Sequence, residues 1–367
     1  MVIYHLSKDE SKRIVFLRAI CMIMVIYLHQ YTSAISFDNN TVPLNHSQII
    51  ENVEYIISRI ITFSAVPLYF FMSSVLLYSK EFTWVSNMKK KVRTLILPYL
   101  LWITIYILIY FVGQSLPQTS SFFANSGRFV SQMNIIDFLN AYTGYFGGKI
   151  FVNALWFLRD LIVLNLLASV IKGIIDKIPF LFMFILLILW TMVGTDKSIV
   201  LNTQSICFFS LGYYVVKYNV RMKNIDLVSN FQLICTYILS VFCEFFLYQQ
   251  NNSLRITAHS ISVLLGIVLV IKLSKYLLNH ISNKIPKLLL LVSEYSFFIY
   301  VTHDLVQTVL KKITIKVLPQ FEIIQLIEYL VIPLVTCFIC VLSGIIIKKI
   351  DVKTYSLITG ARDKKRG

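Results

Sequence analysis

The stretch RAICMIMVIYLH, Arg18 to His29, sets a permanent cation and a titratable ring at the two ends of ten almost wholly apolar residues. A helix turns about 100° and rises about 1.5 Å per residue, so eleven steps return it to within about 20° of the same face, about 16 Å further along. Arg18 and His29 therefore share one stripe of a helix at two depths. A guanidinium offers anions a planar fork of donors, and an imidazole near neutrality can take a proton from a hydroxyl. The same spacing also fits an arginine snorkelling to an interface and a histidine satisfied by a neighbouring helix. Spacing alone leaves both readings open.

Further ionisable residues lie in apolar stretches: Arg59, Arg159, Asp160, Glu244, His259, Glu294 and His303. Each costs about 2.5–3.5 kcal/mol inside a bilayer, which makes each a candidate for function. With a cytoplasmic N-terminus, Arg18 falls near the inner face, as do Ser73-Ser74 and Glu294. His29, Arg59, Arg159, Asp160, Glu244, His259 and His303 fall in the outer half. Arg159 and Asp160 are adjacent and point about 100° apart, so they either form a structural pair or find separate partners. Glu244 and His259 lie close enough to the interface to be merely wet. Lys89-Lys90-Lys91 fits a topology signal as well as a ligand site. No His and carboxylate stand at i, i+3 or i, i+4 within a span, so no metal is expected.

The elements that must position these groups are membrane helices. The 367 residues are 57% hydrophobic and 14% charged, with a mean hydropathy of +0.72, too apolar for a soluble domain. The expected spans are 14–35, 54–78, 92–113, 152–172, 179–194, 199–216, 228–248, 256–278, 286–310 and 324–347, the fifth and sixth being short. The fold class is all-α, a polytopic bundle of about ten helices with both termini cytoplasmic. No cleavable leader is expected, because the first apolar run is long and lacks a small-residue cleavage site. No internal repeat is evident, which weighs against an inverted-repeat transporter.

The net charge of +16 is distributed by side. On this topology the inner segments hold 24 Lys and Arg, the outer loops seven, and the spans three. That is the positive-inside pattern, and it accounts for the charge without nucleic acid. Lys311, Lys312 and Lys316, placed in an outer loop, run against it. All six cysteines fall within spans, and the CFIC at 337–340 has no companion ligands for a metal or redox site. The domain reading is a transmembrane domain over 1–350 and a basic, solvated cytoplasmic tail over 351–367.

Four segments in order carry a resemblance. They are RAICMIMVIYLH; VPLYFFMSSVLLYSKEF leading into KKKVRTLILPYLLW; ALWFLRDLIVLNL; and EYSFFIYVTHDLV. Together they resemble the bacterial membrane acyltransferase-3 family over essentially the whole chain, in its stand-alone form, with some likeness to the intercellular adhesin protein C branch. The family's Ser-Gly pair is Ser73-Ser74 here.

The resemblance implies an enzyme of the bacterial cell (inner) membrane. It would transfer an acyl group, acetyl foremost, from cytosolic acyl-CoA to a hydroxyl of a surface or lipid-linked glycan, an O-acetylation. Acyl-CoA is the co-substrate, no cofactor is held, and lipids and the glycan are the partners. Arg18, Ser73, Lys91 and Arg93 fall to the donor side, and His29 and His303 to the catalytic centre. Arg59, Trp156, Arg159 and Asp160 fall to the acceptor side. His29 is expected to act as general base, with an acyl-histidine intermediate as the alternative. The competing function is export or flipping of a glycan such as poly-N-acetylglucosamine, which would change glycan location and leave no ester.

Overall fold

The computed structural model describes residues 4–31, 34–37, 40–43, 47–123, 129–146, 149–193, 201–250, 254–280, 284–319 and 321–360. Each of the ten expected spans contains helix. Among the described residues, six helices are long and apolar enough to cross a bilayer unaided. The first helix runs Lys8–Leu28 instead of 14–35 and ends in a turn at His29 and Gln30. Beyond it, Ala34–Phe37 pairs antiparallel with Asn40–Pro43.

The second span, Gln48–Glu54 continuing to Ala65–Tyr78, includes a π-helical stretch, Tyr55–Ile61, that carries Arg59. A second π stretch, Val92–Ile96, carries Arg93 directly after Lys91. The fourth span breaks at Leu167, where Trp156–Leu166 and Ala168–Lys177 bend by 61°. Carbonyls at such a break need partners. Trp84 Nε1 donates to Leu166 O at 2.9 Å and the Tyr78 hydroxyl to Ala168 O at 2.7 Å.

The chain divides into two compact units, one of residues 1–28, 55–88 and 163–296, the other of residues 29–54, 89–162 and 297–367. In the first, Ala65–Tyr78 packs closely on Thr203–Lys217 through small residues. A Cβ on Gly212 would lie 2.5 Å from Ser74 Cβ and 2.7 Å from the Phe71 carbonyl oxygen. The glycine that this contact needs therefore stands on the partner helix, opposite Ser74. Elsewhere in this unit, Arg13 donates to both Asp226 carboxylate oxygens at 2.8 and 3.0 Å, to Ser274 Oγ and to Ile271 O.

In the second unit the described part of the tail, up to Gly360, packs against the fold. Val352–Thr359 is a helix whose Tyr355 is buried. Trp102 Nε1 donates to Ile358 O at 2.9 Å. Gly360, at φ +75°, lies so close to Thr94 that a Cβ would meet its carbonyl oxygen at 2.6 Å. The basic residues 361–367 lie outside the described residues. The lysines expected in an outer loop belong instead to the Lys284–Val317 helix. Lys312 is 2% exposed and donates to Phe122 O, and Lys316 stands 4.4 Å from the centre of the Phe122 ring. They serve as carbonyl and ring partners within the fold.

Candidate active site

The second unit brings His29 and His303 together, with ring centroids 5.2 Å apart and the rings edge to face. His303 lies on the Lys284–Val317 helix and is fully buried. Its Nδ1 faces two carbonyl oxygens of its own helix, Tyr300 O at 2.7 Å and Ile299 O at 3.2 Å. Only an N–H can bond a carbonyl, so Nδ1 carries the proton and the neutral ring has its lone pair on Nε2. That Nε2 is buried and has no hydrogen-bond partner among the described residues. An orphaned buried acceptor is costly, and active sites are where such a cost recurs. Beside the rings, Gln307 Nε2 donates to Gln30 Oε1 at 2.6 Å. Lys311 Nζ donates to His29 O at 2.9 Å and Gln30 O at 2.8 Å.

Arg159 and Asp160, also in this unit, pair with each other. Arg159 Nε and Nη2 both donate to Asp160 Oδ1, at 3.1 and 2.9 Å. Asp160 is fully buried, and in such surroundings the long arginine arm folds across the 100° between neighbours to neutralise it. Arg159 Nη1 donates to Thr143 O at 3.2 Å, and the guanidinium lies 5.0 Å from the Tyr145 ring centre. Between them Gly144, at φ +68°, ends the Ile135–Thr143 helix. Arg159 thus fastens that peripheral helix, a role its sequence position did not disclose.

A model described as an acyltransferase domain, acyltransferase-3, matches residues 12–347. The chain belongs to the acyltransferase-3 family. Neither a curated protein nor a solved structure matches it. It is a multi-pass membrane acyltransferase, and its remaining candidate residues can be placed on that basis.

The acyltransferase's other sequence candidates divide between the units. Trp156, half-buried at the head of Trp156–Leu166, lies in the second unit with Lys91, half-buried, and Arg93, exposed. Near that head, the Tyr300 hydroxyl donates to Ala154 O at 2.6 Å. Arg18, Arg59 and Ser73 belong to the first unit. Arg18 is half-buried and its carbonyl accepts the Tyr69 hydroxyl at 2.8 Å. Ser73 is half-buried and Arg59 exposed. The reading of Glu244 as a wet residue is corrected. Glu244 is fully buried, His259 Nδ1 meets Glu244 Oε1 at 2.7 Å, and the Phe63 ring packs edge-on against the imidazole at 4.5 Å. The helices Asn230–Gln249 and Arg255–His280 supply the two partners, with the His259 side chain 20% exposed. Among the described residues no three His, Cys, Asp or Glu side chains could hold a metal ion.

Sequence reasoning missed Gln30, Gln307 and Lys311. Their signal was present in part, since Gln307 and Lys311 follow His303 at intervals of four, on one face of its helix.

Proposed function

We propose that this membrane acyltransferase is an O-acyltransferase, moving an acyl group, acetyl foremost, from cytosolic acyl-CoA to a glycan hydroxyl at or beyond the bacterial cell membrane. The observation that supports this reading is the buried, unpartnered Nε2 of His303 beside the His29 ring. The hydroxyl proton passes to an imidazole of this pair as the oxygen attacks the thioester carbonyl. The carbon–sulfur bond then breaks and the imidazolium returns the proton to the departing thiolate. Acyl-CoA carries phosphates, and Arg18, Ser73, Lys91 and Arg93 are the donor-side groups in this scheme. Arg59, Trp156 and the Arg159–Asp160 pair belong to the acceptor side, with Arg159 acting there by shaping its surroundings.

The test is transfer by purified protein in lipid vesicles given acyl-CoA and a glycan acceptor, with the ester read by mass spectrometry. His29→Ala and His303→Ala should each lower kcat by about 10²–10⁴-fold. Residues acting as a unit are non-additive, so the double variant should be no worse than the poorer single one. Undiminished ester formation by either folded single variant would overturn the reading. So would glycan crossing the vesicle membrane with no ester formed, which is the exporter's behaviour.

A further inference from the structure

We infer that Gln307 and Lys311 are positioning residues that hold the His29–Gln30 turn so that the His29 ring meets His303, an inference resting on the role proposed for that pair. His303, Gln307 and Lys311 stand at i, i+4 and i+8 of one helix, a row of neighbours spanning about 12 Å. Each engages a different part of the same two-residue turn. His303 meets the His29 ring, Gln307 the Gln30 side-chain amide, and Lys311 the carbonyls of both residues. The turn begins where the Lys8–Leu28 helix ends, so its carbonyls have passed beyond the regular helical ladder. A lysine donating to both fixes the backbone from which the His29 ring projects.

Neither snorkelling nor a topology signal accounts for Lys311. A snorkelling lysine would send its ammonium to solvent, whereas this one is directed at two main-chain oxygens at ordinary hydrogen-bond length. A topology signal asks only that a cation lie near the end of a span, and so does not account for an ammonium placed on these two carbonyls. Asp304 and Glu54, in the same unit, lie near enough to attract its charge. Gln30 and Gln307 are 6% and 2% exposed, so their amides are placed by each other rather than by solvent. A displacement near 1 Å at a reacting group can cost about a hundredfold in rate, which sets the scale expected for loss of the clamp.

The experiment compares full-length Lys311→Met, Lys311→Arg and Gln307→Leu, checked for folding by size-exclusion chromatography and thermal unfolding in detergent. Lys311→Met and Gln307→Leu should each lower kcat by about 10–100-fold with the acyl-CoA KM within about twofold. Lys311→Arg, whose fork can still serve two carbonyls, should recover most of that loss. Added to His29→Ala, Lys311→Met should cost nothing more, because a residue that acts through His29 has nothing left to position. A second readout is independent of acyl transfer: amide hydrogen exchange across residues 28–31 should quicken at least about tenfold in Lys311→Met, as for loss of a local restraint. Unchanged exchange in that turn, or an additive loss on top of His29→Ala, would overturn the inference. Faster exchange with full activity in His29→Ala would keep the clamp and overturn the proposed function instead.

Discussion

Arg18 and His29 can be separated by what their loss should do. The main chain at Arg18 is held by the Tyr69 hydroxyl, which donates to the Arg18 carbonyl. If Arg18 anchors donor phosphates, Arg18→Ala removes a charge-assisted contact worth about 1.5–3 kcal/mol, a ten- to hundredfold loss of acyl-CoA affinity. High acyl-CoA should then restore part of the transfer, and Arg18→Lys should recover binding incompletely, since it lacks the planar fork. His29→Ala should keep donor affinity while kcat collapses, and no donor concentration should help. Affinity and ester yield measured on folded variants check both, and an equal affinity loss in the two would sink the division of roles. The Arg159–Asp160 pair is a structural unit, with hydrogen bonds to itself and to the Thr143 carbonyl.

At the scale of elements, the contact between Ala65–Tyr78 and Thr203–Lys217 depends on Gly212. Gly212→Ala would set a methyl 2.5 Å from Ser74 Cβ and 2.7 Å from the Phe71 carbonyl oxygen. Overpacking of this kind costs about 1–3 kcal/mol, so the thermal midpoint in detergent should fall. Ser74→Gly in the same chain should recover only part of the loss. It clears the Ser74 side chain, while the Phe71 carbonyl stays where the helix puts it. An unchanged midpoint in Gly212→Ala would show that these helices separate at little cost.

On the ten-span expectation most of the positive charge falls on one side, with Lys311 and Lys312 on a helix. Both termini are therefore expected in the cytosol. A reporter joined after Lys365 should be active only in its cytoplasmic form, and activity in the extracytoplasmic form would refute the ten-span count. The Val352–Thr359 helix gives that end a packed base through Trp102 and Tyr355, so the reporter would extend from an ordered element.

The sequence by itself determined the helices and their order, because apolar length is a local property and ten such runs leave little choice of secondary structure. It also determined the family, since four motif segments keep their order, and it marked Arg18, His29 and His303 as residues too costly for a lipid-facing position. The ends of elements were less legible: the first helix stops at Leu28, and the tail forms a docked helix. Only the tertiary structure decided which polar groups meet. Gln30 and Gln307 are 277 residues apart in the chain, Glu244 and His259 close over each other across a connection, and Arg159 turns to its own neighbour. Inside a bilayer a polar group takes whichever partner the packed helices bring to it. That choice depends on small contacts such as Gly212 against Ser74 and on the turn at His29–Gln30, not on the residue's own surroundings in sequence.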